Sequence, residues 1–250
     1  MASTTHSPSP HVEIHEVRTK AEFARLNDVL WTANFHPYEP IFTLCHAITG
    51  PTAADRAADI ARDTDLHWAA HERNPASHYI YVVDPTTGRV VGGCEWTFHH
   101  TNPFPEGPVR VPCTWYPEGS EVAEFASHVL TQCLLPRRAW FQRAHAGVNR
   151  MGVHPDYRRQ GVGRMLMQWG HARIDAWGYE CLSIPGRWGG GCTRSAGIGG
   201  RWRWRWIVTG KIPVPSGRGS CLTIGTWECC CFGGRLGESG MSVYRLGRGP

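Results

Sequence analysis

The stretch from residue 145 to residue 184 constrains this chain more than any other. His145 to Val153 reads as a strand, and residues 161–177 read as the clearest helix in the sequence. Val162, Met165, Leu166, Trp169 and Ala176 make one apolar stripe, and Gly178 is a good stop. Residues 179–184 read as the next strand. The turn between strand and helix runs His154-Pro-Asp-Tyr-Arg158-Arg159-Gln160-Gly161-Val162-Gly163-Arg164. Gly161 and Gly163 let the backbone approach a ligand without Cβ interference. The first helical turn leaves its N–H groups unpaired at the positive end of the dipole, so phosphate is the natural occupant. Arg158, Arg159 and Arg164 add positive charge around it.

The upstream residues supply the rest of a sheet with helices on its faces. Val12-Glu-Ile-His-Glu-Val17 alternates as a half-buried strand does. Thr19 and Glu22 form a capping-box pattern, followed by Phe23, Leu26, Leu30 and Ala33 at helical spacing, with Pro37 ending the helix. Thr52 is the expected N-cap of a second helix that runs to about Arg73. Residues 79–83 and 89–98 flank Asp84-Pro-Thr-Thr-Gly88, a strong hairpin signal. Residues 99–119 carry five Pro and two Gly and read as a loop. Ser120 is expected to cap a helix to about Leu135, where Pro136 interrupts it. The order β-α-α-β-β-α-β-α-β predicts an α/β fold built on a mixed sheet.

This reading stops near residue 184. The last 66 residues hold 10 Lys+Arg against 2 Asp+Glu, 17 of the 29 Gly and 5 of the 10 Cys. The preceding 184 hold 16 basic against 19 acidic residues, so the overall charge of +5 belongs to the tail. Three parts follow: a disordered lead over 1–11, a folded domain over 12–184, and a Gly/Arg/Trp/Cys-rich tail over 185–250. No run approaches the roughly eighteen apolar residues of a membrane-spanning helix. The N-terminus lacks the basic start and apolar stretch of a secretory signal, so the expected location is cytoplasmic or nuclear.

Two familiar phosphate loops do not fit the turn at 153–164. A dinucleotide fingerprint needs Gly or Ala where Leu166 stands, and a P-loop needs Gly-Lys-Ser/Thr. Arg158-Arg-Gln-Gly161-Val-Gly163 after Val153-His-Pro155, with a strand before and an amphipathic helix after, resembles the acyl-CoA pyrophosphate loop of the GNAT superfamily of N-acetyltransferases.

The resemblance implies a GNAT fold, acetyl-CoA as co-substrate, and an amine-bearing acceptor that is a small molecule or a protein. It also implies that the backbone at Met151, Gly152 and Val153 pairs with the pantetheine arm. The N–H groups of Arg159, Gln160, Gly161, Val162, Gly163 and Arg164 would hold the pyrophosphate, with Arg158 opening the motif. A base then removes the ammonium proton, the amine attacks the thioester, strand N–H groups stabilise the oxyanion, and an acid protonates the thiolate.

No carboxylate lies in 145–153, which leaves Glu95, in the strand 89–98, as the candidate base. His99 and His100 could act only through a water. Cys45, Cys94, Cys113, Cys133 and Cys181 are scattered, and Cys229-Cys230-Cys231 cannot easily aim three adjacent side chains at one ion, so no metal is expected.

In the family, a further helix and two strands normally follow the last strand read here, often with a Tyr as the acid. Nothing from Pro185 onward matches, Tyr244 being the only Tyr there. The fold is therefore expected to be incomplete at this end, and a catalytically impaired remnant is the alternative reading. The codons for Gly, Arg, Trp and Cys are G-rich, so the tail can also be read as translated non-coding sequence. A third reading uses Arg201-Trp-Arg-Trp-Arg-Trp206 as a ribbon with one aromatic and one cationic face. Such a ribbon suits single-stranded nucleic acid or an anionic membrane surface, although nucleic acid is not the expected partner of the chain as a whole.

Overall fold

A computed structural model describes residues 11–36, 40–107, 110–140, 142–183, 208–211, 221–224 and 231–232. Strand β1 (Glu13–Glu16) leads into helix α1 (Lys20–Phe35). The capping box is formed: Glu22 N donates to Thr19 Oγ1 at 3.3 Å, and the Glu22 carboxylate accepts from Thr19 N at 2.9 Å. Helix α3 (Ala53–Arg73) starts the same way, with Asp55 in the place of the usual Glu. Between them lies α2 (Pro40–Cys45), a helix of six residues that the sequence reading treats as connection. It is too short to show a period, which is why no pattern announces it.

Strands β2 (Ser77–Asp84) and β3 (Arg89–His99) form the expected hairpin, closed by Gly88 at φ 66° with its N–H on Asp84 O. Residues 100–120 hold no helix or strand among those described. Helix α4 spans Glu121–Trp140 and corrects the expected stop at Leu135. A proline removes one backbone donor, and the helical bonds on either side carry the backbone past Pro136. Strand β4 (His145–Val153), α5 (Val162–Trp177) and β5 (Glu180–Ser183) follow as read.

The sheet order is β1-β2-β3-β4-β5, antiparallel except for the parallel β4–β5 pair, so the fold is a mixed α+β sheet. Two short tail strands, β6 (Val208–Lys211) and β7 (Cys221–Ile224), pair with each other. A third, β8 (Cys231–Phe232), adds two residues to the free edge of β5. The Arg201–Trp206 ribbon and Tyr244 lie outside the described residues.

Each face of the sheet carries one core. On one, α5 buries Leu166, Met167 and Ile174 against Ile80, Trp96 and Phe98. The Trp96 indole donates to Leu166 O at 3.2 Å, and Gly170 leaves room for it, since a Cβ there would lie 2.1 Å from the ring. On the other face, α1 buries Phe23, Leu26 and Leu30 against Tyr79 and Tyr81. Burying side chains of this size stabilises the fold by about 1.5–3 kcal/mol each. These two layers hold β4, and with it the turn at 154–161, between α1 and α5.

Candidate active site

The site begins with an irregularity in β4. Cys94 pairs with Met151 and Trp96 with Val148, so Glu95 alone faces both Asn149 and Arg150. Two residues opposite one is a β-bulge, which bends the strand and re-aims its side chains. Ala146 and Val148 point into the α5 core, yet Arg150 and Gly152 point toward α1. At Gly152 a Cβ would lie 2.9 Å from the Ala33 Cβ, so the glycine lets α1 press onto the strand. Among the described residues the last β4–β5 pair is Val148–Ser183. Met151, Gly152 and Val153 continue past it.

The turn after β4 is held from three sides. His154 N donates to Val91 O at 2.8 Å, and Tyr157 Oη donates to Asp84 Oδ2 at 2.7 Å. The Thr86 hydroxyl, and after it this Tyr157 bond, lower the Asp84 carboxyl to about 2. The Arg158 guanidinium donates to Val153 O at 3.1 Å, to Ala33 O at 2.7 Å and to His36 O. Arg158 thus ties the turn to the end of α1 through its side chain.

Arg159 sits at φ 64° and Gly161 at φ 90°, two left-handed residues that curl the backbone into a cup at the start of α5. Met165 N donates to Gly161 O, which makes it the first helical donor. The N–H groups of Val162, Gly163 and Arg164 therefore have no intrahelical acceptor. Arg159, Gln160 and Arg164 are exposed around this cup.

Glu95 lies on the α1 side, half-buried, with Ser77 Oγ donating to its Oε1 at 2.7 Å and Asn149 Nδ2 to its Oε2 at 3.3 Å. His71, near the end of α3, reaches Ser77 Oγ with its Nδ1 at 2.9 Å. The single hydroxyl proton of Ser77 goes to Glu95, so His71 Nδ1 is the donor to Ser77. Burial lowers the His71 pKa, against the pull of the Glu95 charge, which keeps the ring neutral at pH 7. His99 and His100 are not brought here. They lie where β3 pairs with the start of β4, and His100 contacts Tyr179 and Trp177.

Beside Glu95 is a polar cluster that sequence reading missed. Asp63, almost fully buried on α3, accepts through Oδ2 from Asn27 Nδ2 (3.0 Å), Trp31 Nε1 (2.9 Å) and Arg150 Nη2 (3.0 Å). Its Oδ1 meets His46 Nδ1 at 2.7 Å and His67 Nε2 at 3.2 Å. Burial alone would raise the Asp63 pKa, but the imidazoles of His46 and His67 and the Arg150 charge hold it well below the usual carboxylate range. Burial, then the charge of Arg150, pushes His46 down to about 4. The only sequence signal was Asp63 and His67 sharing one helical face at i, i+4.

The site is thus a mixed α+β sheet with a strand–turn–helix unit at its centre, the first N–H groups of the helix being open. Residues 122–188 match the model of the acetyltransferase (GNAT) domain. That segment, which carries α4, β4, the turn, α5 and β5, is what the chain has in common with the domain.

No curated protein matches the chain. Among solved structures, an aminoglycoside acetyltransferase from an uncultured soil metagenomic sample is 12% identical, covering 80% of this chain and 97% of that one at TM-score 0.44. Glucosamine-6-phosphate N-acetyltransferase from Arabidopsis thaliana is 8% identical, with 79% and 97% covered at TM-score 0.44. A GNAT family acetyltransferase from Brucella melitensis in complex with acetyl-CoA is 16% identical, with 76% and 84% covered at TM-score 0.38. No helix among the described residues is long and apolar enough to cross a membrane.

Proposed function

We propose that this chain transfers the acetyl group of acetyl-CoA to the amine of an acceptor bound on the α1–α3 side of β4. The observation that carries the proposal is the bulge at Asn149–Arg150, opposite which stands the Glu95 carboxylate with both oxygens held. The backbone of Met151, Gly152 and Val153 would pair with the pantetheine arm. The N–H groups from Arg159 through Arg164 would take the pyrophosphate, and Arg158 would fix the turn that presents them. The match over residues 122–188 supports acetyl-CoA as the co-substrate.

Glu95 is the base in this reading. Ser77 and Asn149 hold its two oxygens, and His71 holds Ser77, so the carboxylate is aimed before an acceptor arrives. Glu95 takes a proton from the ammonium group, and the freed amine attacks the thioester carbonyl. N–H groups of β4 face the oxygen that becomes negative. The C–S bond then breaks, and the CoA thiolate leaves and is protonated.

The test is a screen of amines with wild-type protein, read as release of free thiol, followed by Glu95→Gln. The glutamine keeps the shape and loses the basicity. Turnover is expected to fall about 10²–10⁴-fold, while the rise in melting temperature that acetyl-CoA induces stays as in wild type. Unchanged turnover in Glu95→Gln would remove Glu95 from the mechanism. Absence of any acetyl-CoA shift in wild type would remove the cofactor. A shift without turnover on any amine would favour the impaired remnant.

A further inference from the structure

We propose that His46, Asp63 and His67 form a binding site for a single divalent transition ion of the zinc type, independent of the acetyl-transfer reading. His46 Nδ1, one Asp63 oxygen and His67 Nε2 all lie within 4.8 Å of one another. They come from two places in the chain: His46 follows α2, and Asp63 and His67 sit one turn apart on α3. One ion at about 2.0–2.2 Å from each ligand would join them, leaving a fourth position open as three-ligand zinc sites do.

Three features favour a metal over a hydrogen-bonded cluster alone. First, His67 Nε2 is a buried nitrogen whose one polar neighbour among the described residues is Asp63 Oδ1, at 3.2 Å. Second, the two Asp63 oxygens are used differently. Oδ2 takes Asn27, Trp31 and Arg150, whereas Oδ1 faces only the two imidazoles. Such outer partners on the far oxygen orient a ligating carboxylate. Third, Phe42 stacks on the His46 ring at 4.0 Å, and Trp31 meets it edge-on, which excludes water from one side. His67, a quarter exposed, leaves a way in from the other.

The same charges select the ion. Arg150 already neutralises Asp63, which weakens the site for calcium or magnesium, ions held mainly by oxygen. Two imidazoles suit zinc, cobalt or nickel. On binding, the ion takes the place of the proton between His46 Nδ1 and Asp63, and the neutral His46 ring carries its single proton on Nε2 instead. The ion would clasp the end of α2 to α3, beside Arg150 of β4.

The experiment uses the full chain, stripped with chelator and titrated with Co²⁺ and Zn²⁺. The expected result is one Co²⁺ per chain with the visible spectrum of a nitrogen- and oxygen-ligated ion, displaced by Zn²⁺, with affinity at least about tenfold lower in His67→Gln. The tail cysteines are the competing binder and would announce themselves by a thiolate-to-cobalt band. No bound metal, a thiolate band as the only signal, or full retention of binding in a folded His67→Gln each overturns the proposal. Should His67→Gln fail to fold, imidazole ¹⁵N resonances of the unmutated protein decide the question. Two rings shifting with one equivalent of Zn²⁺ supports the site, and none shifting overturns it.

Discussion

Asp63→Ala is expected to destabilise the protein by about 3–5 kcal/mol, because it strips the partner from a buried arginine. The Arg150 side chain is 13% exposed and the Asp63 side chain 6%. Alanine leaves that guanidinium charged in a cavity and removes the acceptor of Asn27, Trp31 and His46 as well. Urea unfolding measures the loss, and a drop below about 1 kcal/mol would mean that the cluster is solvated and the pair weak. The double change with Arg150→Met should recover part of the loss, since it deletes the orphaned charge.

The same cluster sets a pH dependence. His46 has its folded pKa depressed to about 4 from an ordinary 6.5, so its contribution is complete above pH 6.5. As pH falls from 6.5 toward 4 the unfolded chain takes a proton that the native chain refuses, and stability declines by about 3 kcal/mol. Asp63 adds a further loss only below the ordinary carboxylate range. A series of urea midpoints between pH 7 and pH 4 would show the decline, and His46→Asn, if it folds, should flatten it.

Gly93→Ala is expected to be nearly as damaging, by a different route. A Cβ at this position would stand 2.3 Å from Leu26 Cδ1 and 2.4 Å from the Ile80 carbonyl oxygen. The leucine end could turn aside, but Ile80 is a hydrogen-bonded strand residue paired across the hairpin, and its oxygen cannot. Either β2 and β3 part locally or α1 lifts from the sheet. Such overpacking costs about 1–3 kcal/mol, and the backbone contact places this case at the upper end. Gly88→Ala, with nothing within 4 Å of its Cβ, tests only the positive φ and should cost less. Comparable melting temperatures for the two variants would contradict the clash.

How much of this was legible beforehand differs by element. Thr19, Thr52 and Ser120 announced helix starts because capping is local chemistry, and each does bond to its own first turn. Gly161 announced the cup because only a left-handed residue opens α5 there. The bulge at Asn149–Arg150 was not legible. It is a count between two strands, and strand alternation read along β4 alone places Arg150 with Val148 in the α5 core. The Asp63 cluster was hidden for a related reason. Asn27, His46, Asp63 and Arg150 come from four separate segments, and each reads by itself as an ordinary polar residue. Glu95 was legible as a candidate only by elimination, and its partners Ser77 and Asn149 required the sheet register.

Arg158 gives the turn after β4 a particular place in time. Its side chain closes on carbonyls 122 and 125 residues earlier in the chain. Contacts of that span are made late, because the entropy of closing the intervening loop comes due before they return anything. A growing polypeptide that has completed α1 and the hairpin can bury Leu26 against Tyr79, but it has no finished cup until α5 has been made and docked. The turn after β4 therefore acquires its shape only once both ends of that long span have been made and brought together.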